Sequence, residues 1–393
     1  MKAPDNSVQL VNSGPEFFNQ LKRMIDEAKQ EIHLHCYIWE DDEIGISIFQ
    51  IIQKALDRGI KINILLDGYG SSALMNSSII EDLTAKGAEV RFFNPIQKGI
   101  RFVAGRRLHQ KIVLVDRCKV LIGGINISNK YSGKKDIAPW LDYAVLVNGT
   151  ISEQLSVWMN DIWEKKFIKS IRRKIANIQR RKTIVDKTNW PIKLIVNDKY
   201  RGINQISNAY HKAIRNAKSE IIIAASYFLP GMGIRKLLRH AANRGVKISI
   251  LLSGYSDIPF FKRASNYWYQ WMIKNNIQIF EYQTSVVHAK VAVVDSKWAT
   301  VGSYNLNHLS EYMSIEANVE LNDELFADQL RLSIFEKMQS ESFQINPSDY
   351  IKYKTTLGRI GDWFSYQVIR ILMRLFYLLR ARAVELKSFG SKK

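Results

Sequence analysis

The sequence predicts an α/β protein built from two copies of one unit, each a sheet covered by helices. Two observations carry this. Arg58-Gly-Ile-Lys-Ile-Asn-Ile-Leu-Leu-Asp-Gly-Tyr69 returns as Arg244-Gly-Val-Lys-Ile-Ser-Ile-Leu-Leu-Ser-Gly-Tyr255, and His109-Gln-Lys111 returns as His288-Ala-Lys290. Around both copies, apolar strand-like runs alternate with amphipathic helical ones, the pattern of a sheet buried on both faces. A period of about 180 residues marks a duplicated domain and not a solenoid of short repeats.

Taken in order, the first unit opens on a helix that ends at Ala28-Lys29-Gln30, echoed by Ala217-Lys218-Ser219 in the second. An apolar strand follows, Ile32–Trp39 or Ile221–Phe228. An amphipathic helix then stops near Gly59 or Gly245, where glycine suits a helix terminus, and a second apolar strand runs over Ile60–Leu66 or Val246–Leu252. The expected division is residues 1–164 for the first unit, 165–190 for a basic linker, 191–345 for the second unit and 346–393 for a basic tail.

Composition narrows the function classes. Hydrophobic residues make up 46% and charged ones 24%, enough apolar surface for large cores. The only cysteines, Cys36 and Cys118, cannot make a disulfide framework. The chain carries 57 Lys+Arg against 37 Asp+Glu, a net +20. Much of that excess is local, with nine basic and no acidic residues over Lys165–Lys182 and ten against two over Tyr350–Lys393. A protein binding nucleic acid along its core would spread basic residues through the folded part, so nucleic acid is not the expected partner. No run of about eighteen uncharged apolar residues occurs, so no spanning helix is expected, and residues 1–20 do not read as a signal peptide.

The motifs carry the chemistry. The first is His109-Gln-Lys111-Ile-Val-Leu-Val-Asp116 followed by Gly123-Gly124-Ile-Asn126; the second is His288-Ala-Lys290-Val-Ala-Val-Val-Asp295 followed by Gly302-Ser303-Tyr-Asn305. Residues two apart on a strand share a face, so each motif sets an imidazole beside an ammonium, a pair of phosphate size. Asn126 and Asn305 can donate amide hydrogens, and Gly124 and Ser303 sit where a backbone can approach a ligand. A lone His-x-Lys is more often a surface accident than a site. Its repetition with the same downstream residues reverses that weighting. Asp116 and Asp295 complete the motif and also suit a turn at the strand end. His33 and His35, in an apolar strand, read as buried or partner-bonded residues; His211 and His240 read as surface residues. His308 follows Asn305 closely without a stronger claim, and Arg106-Arg107 reads equally as a steering pair or a solvated loop.

The doubled pattern HxK(x)4D(x)6GG/GSxN resembles the phospholipase D superfamily, and the resemblance spans most of residues 8 to 340. Ile38-Trp39-Glu40-Asp41-Asp42, Leu66-Asp-Gly-Tyr-Gly70 and Trp298-Ala-Thr-Val-Gly-Ser-Tyr-Asn-Leu-Asn307 are similar to bacterial cardiolipin synthases of the type without N-terminal spanning helices, although His35 stands where an acidic residue is common. The resemblance implies two phospholipase D-like domains meeting about a pseudo-twofold axis with one shared active site, with His109, Lys111, Asp116, His288, Lys290 and Asp295 as the catalytic set and Asn126, Asn305, Gly124 and Ser303 at the phosphate. Asp142 and Glu316 look like the family's trailing acidic residues that orient each His. It further implies phosphatidyl transfer between two phosphatidylglycerols through a phosphohistidine, with no cofactor and no metal. A phosphodiesterase or nuclease with the same machinery, or a phosphatidyltransferase using phosphatidylethanolamine, is the alternative.

The tail reads as an interfacial helix. Trp363 and Phe364 supply apolar aromatic surface and Arg370 and Arg374 share a helical face, so contact with an anionic membrane is expected, against the alternative of packing on the protein's own body. A phospholipid substrate and a peripheral place on the cytoplasmic face of a bacterial membrane follow from the same expectation.

Overall fold

A computed structural model describes residues 6–95, 106–133, 137–164, 190–348, 350 and 354–389, except for the side chains of 374–389. The expected linker therefore lies outside the described residues apart from Trp190.

The strands of the first half are β1 (Ser7–Asn12), β2 (Glu31–Cys36), β3 (Lys61–Asp67), β4 (Glu89–Phe93), β5 (Arg107–Leu108), β6 (Lys111–Val115), β7 (Lys119–Gly123) and β8 (Tyr143–Asn148). Those of the second are β9 (Ile192–Asp198), β10 (Ile203–Asn204), β11 (Glu220–Ala225), β12 (Lys247–Ser253), β13 (Ile277–Tyr282), β14 (Lys290–Val294), β15 (Trp298–Gly302), β16 (Ser314–Leu321) and β17 (Ser342–Gln344). One sheet runs β1-β8-β7-β6-β2-β3-β4 and the other β10-β9-β16-β15-β14-β11-β12-β13-β17. The second repeats the first strand for strand, with β10 and β17 added at its edges. The duplication legible in the sequence is thus a duplication of topology. The strands read as Ile32–Trp39 and Ile221–Phe228 stop three residues early, at Cys36 and Ala225, where the chain turns towards the site.

Alternation along the strands fills three cores. In β6, Ile112 and Leu114 face a core built by both sheets with the helices Ile151–Trp163 and Glu324–Ser340, while Val113 and Val115 face the outer layer of the first half. Helices Pro15–Asp26 and Glu43–Asp57 cover that outer face, the latter capped by Asp42 Oδ1 accepting from Gly45 N at 2.9 Å. A third core lies under the outer helices of the second half. Each buried Ile or Leu contributes about 1.5–3 kcal/mol of transfer energy. The central core belongs to both halves, so it fixes one sheet against the other.

The tail is a helix, Thr356–Phe389, and its first turns do not stand free. Tyr366 stacks on Tyr267 with ring centroids 4.7 Å apart, Ile369 enters the outer core of the second half, and buried Asp362 receives Lys354 Nζ at 2.7 Å and lies 3.6 Å from Arg263 Nε. Trp363 and Phe364, 49% and 57% exposed, stand on the other side. The helix therefore packs on the protein's own body by one face, the alternative that the sequence left open, and leaves Trp363 and Phe364 exposed on another. No described helix is long and apolar enough to cross a membrane.

Candidate active site

β6 is antiparallel to β2, so its first residues lie at the sheet edge where β2 and β3 end; β14 repeats this against β11. His109, Lys111, His288 and Lys290 accordingly occupy corresponding edges of the two sheets. Short backbone pairings bring these edges together. β5 runs parallel to the start of β16, with His109 N and Gln110 N donating to Ile315 O at 3.1 Å. In mirror fashion Leu141 N donates to Val286 O and His288 N to Leu141 O, each at 2.8 Å. The residue after Ile315 is Glu316, and the residue after Leu141 is Asp142. Each histidine is thereby set against a carboxylate of the opposite half.

His109 Nδ1 lies 3.0 Å from the Glu316 carboxylate and 3.1 Å from Ser303 O. Both neighbours accept, so Nδ1 carries the hydrogen and Nε2 the lone pair. His288 Nδ1 lies 2.7 Å from Asp142 Oδ2 and 3.3 Å from Tyr131 Oη. Lys290 Nζ is 3.2 Å from His288 Nε2 and 3.6 Å from Asp142 Oδ2, while Lys111 Nζ donates to His109 O at 2.6 Å. Aromatic edges frame the imidazoles, Tyr37 at 4.8 Å from His109, and Tyr131 and Trp140 at 5.2 and 5.9 Å from His288.

Burial dominates the electrostatics. It lowers both histidines below their ordinary range, more strongly for His288, where the charges of Lys290 and Lys111 add to it. Burial, then the charge of Lys290, brings Lys111 down to about 7. Burial raises Asp142 to about 6 against the opposing pull of Lys290. The site sets two imidazoles between two crowded lysines and two buried carboxylates, and the lysine N–H groups are donors suited to the oxygens of a phosphodiester.

Other motif residues sit differently. Asp116 and Asp295, grouped with the catalytic set, stand at the far ends of their strands. Five residues at about 3.4 Å each separate Asp116 from Lys111 by roughly 17 Å. Asp116 accepts from the backbone N–H groups of Lys29, Gln30 and Glu31, and Asp295 from those of Lys218, Ser219 and Glu220. Both take positive φ, 49° and 54°, in the hairpin turn, a conformation Asp tolerates better than most residues. Their geometry is that of turn anchors. A Cβ on Gly124 would stand 2.4 Å from Asp142 Oδ1, and Ser303, its counterpart, donates its hydroxyl to Glu316; both positions adjoin the carboxylates. Asn126 donates to Tyr131 Oη at 2.9 Å, whereas buried Asn305 Oδ1 has no partner among the described residues.

Arg106 pairs with Asp198 of the other half and Arg107 with Asp67, so neither stands as a solvated loop residue. His35 is buried, held neutral with its pKa pushed down to about 3 by burial and then by His33, and meets Gln110 Nε2 at 2.7 Å; Trp158 Nε1 donates to Gln110 Oε1 at 2.8 Å. Tyr37, Tyr131 and Gln110 were not singled out by sequence reasoning. Only Gln110 carried a signal, its place between His109 and Lys111.

The family described as Cardiolipin synthase, PLD-like domain matches residues 21–163 and 210–339. Cardiolipin synthase B of Escherichia coli (strain K12) is 33% identical over 328 residues, 83% of this chain and 79% of that protein. Cardiolipin synthase of Clostridium perfringens is 27% identical over 385 residues, 94% of this chain and 77% of that protein. Among solved structures, phosphatidylserine synthase of Haemophilus influenzae Rd KW20 superposes with a TM-score of 0.72 at 14% identity, covering 96% of this chain and 97% of that one, a likeness of fold.

Proposed function

The chain belongs to the cardiolipin synthase family of phospholipase D-like phosphatidyltransferases, and from that premise we propose that it moves a phosphatidyl group from one phosphatidylglycerol to another, giving cardiolipin and glycerol. The observation that carries this reading is the crossed pairing of His109 with Glu316 and His288 with Asp142. It leaves Nε2 of each imidazole for the phosphate.

His109 Nε2, with its lone pair fixed by two acceptors at Nδ1, attacks phosphorus; the P–O bond to the head-group glycerol breaks, and His288, which takes up a proton at Nε2 as the anionic diester binds beside it, delivers that proton to the departing oxygen. The product of this half-reaction is a phosphatidyl group on His109. A hydroxyl of the second phosphatidylglycerol then gives its proton to His288 and attacks phosphorus, the P–N bond breaks, and His109 is restored. Lys111 and Lys290 stabilise the charge gathering on the equatorial oxygens. Asn126 and Asn305 belong to the same phosphate pocket.

The exposed Trp363 and Phe364 with Arg370 on the tail helix support a peripheral contact with an anionic bilayer, on the cytoplasmic face. Arg374, the fourth expected contact, has its side chain outside the described residues. Quenching a reaction on phosphatidylglycerol labelled with ³²P in base should trap an acid-labile label on the His109 peptide. Label on no histidine overturns the covalent route.

A further inference from the structure

The two catalytic histidines need their rings held against carboxylates of the opposite half, and the backbone around each is gripped at two successive amides. The second grip comes from across the interface, where His109 N donates to Ile315 O and His288 N to Leu141 O. The first comes from within each half. Leu108 N donates to Asp67 Oδ2 at 2.8 Å, and Val287 N donates to Ser253 Oγ at 2.9 Å. Asp67 and Ser253 are the last residues of β3 and β12 and stand at the same place in the repeated segment Leu-Leu-Asp-Gly-Tyr or Leu-Leu-Ser-Gly-Tyr. Resting on the reading above, we propose that Asp67 and Ser253 are positioning residues, each fixing the catalytic histidine of its own half through the amide that precedes it.

The two halves differ in how firmly this is done. Asp67 is fully buried, and its Oδ1 also accepts from Tyr69 N at 2.9 Å and Gly70 N at 3.0 Å and lies 3.3 Å from Arg107 Nη1. One carboxylate thus ties the end of β3, the turn after it and two residues of the strand leading to His109. Ser253 grips Val287 by a single hydroxyl, while its carbonyl accepts from Lys262 Nζ at 2.6 Å. A displacement of the imidazole by about 1 Å suffices to cost on the order of 10²-fold in rate, so a backbone anchor next to the histidine has leverage on turnover without touching substrate.

The test compares Asp67→Ala, Asp67→Ser and Ser253→Ala, the serine at 67 being the second half's own solution. Turnover is read on phosphatidylglycerol vesicles and on bis(p-nitrophenyl) phosphate, a soluble diester that needs the histidines but no lipid, and the histidine rings are titrated by NMR. Asp67→Ala should lower kcat at least tenfold on both substrates with KM within about twofold, Asp67→Ser should recover a large part of it, and Ser253→Ala should lower kcat less than Asp67→Ala. The ring titration should shift for His109 alone in Asp67→Ala and for His288 alone in Ser253→Ala. Unchanged kcat in folded Asp67→Ala, no recovery by serine, or titrations that shift in neither variant would overturn the proposal. A wild-type protein that cleaves the soluble diester but ignores phosphatidylglycerol removes the lipid reading alone, and the diester and the ring titrations still decide the role of Asp67.

Discussion

At the scale of residues, the account rests on two imidazoles with no substitutes. His109→Ala and His288→Ala should each lower phosphatidyl transfer by at least about 10²–10⁴-fold, the range of positioned acid–base help, while the melting temperature stays near that of wild type. Substantial activity in either variant would separate the two halves into independent sites. Lys111 makes a sharper case. Its pKa, near 7 in the folded chain for burial and the charge of Lys290, lies below the unfolded value of about 10.4. Folding therefore opposes its charge, a cost fully present below about pH 7 that fades as pH rises towards 10. Lys111→Met should melt higher than wild type at pH 7, with the difference shrinking at pH 9, and should lose about 10²-fold or more in turnover. A lower melting point at pH 7 would show that the ammonium is stabilised where it stands. In the wild type, turnover should fall as pH drops below about 6, where Asp142 takes up a proton. The histidines and lysines are legible because the motif repeats, whereas Asp142 and Glu316 are reached only through the resemblance to a family. The partner of each carboxylate was not legible, since nothing in linear spacing says that Glu316 crosses to His109 and Asp142 to His288.

At the scale of elements, the hairpins and the tail show where reading a chain one segment at a time runs out. The motif aspartates belong to turns, and their function is visible only when the start of β2 or β11 is laid beside them. The tail reads as amphipathic in sequence; one face packs on the second half, and Trp363 and Phe364 stand exposed on the other. The inner face is set by Tyr366, Ile369 and Asp362. Truncation before Thr356 would uncover Tyr267 and the buried rings beside it, so loss of stability would mask any loss of membrane binding. Trp363→Ser with Phe364→Ser leaves the packed face intact. That double variant should bind phosphatidylglycerol vesicles at least tenfold more weakly in a flotation assay, at an unchanged melting temperature and with unchanged turnover of a soluble diester. Equal binding would place the membrane contact elsewhere on the chain.

At the scale of the whole molecule, the interface between halves is where the two His-x-Lys motifs and the carboxylates of the opposite halves meet. The central core draws apolar residues from both sheets, Arg106 reaches across to Asp198, and the strands leading to each histidine pair with the strand leading to the other half's carboxylate. The duplication and the sheet class could be read from the repeats, because a recurring strand–helix pattern dictates a recurring sheet, while one shared site was implied only by the resemblance to a family. How the sheets dock was not readable, because docking is set by side chains far apart in sequence, such as Leu65, Val147 and Val301, whose apolar character alone does not name their partners. The central claim is that this single shared site joins two phosphatidylglycerols. Its most direct measurement is the product balance on vesicles of pure phosphatidylglycerol, followed by lipid mass spectrometry and an enzymatic glycerol assay. The account predicts one glycerol released for each cardiolipin formed, abolished together by His109→Ala or His288→Ala. Phosphatidic acid as the main lipid product, with glycerol but no cardiolipin, would contradict it.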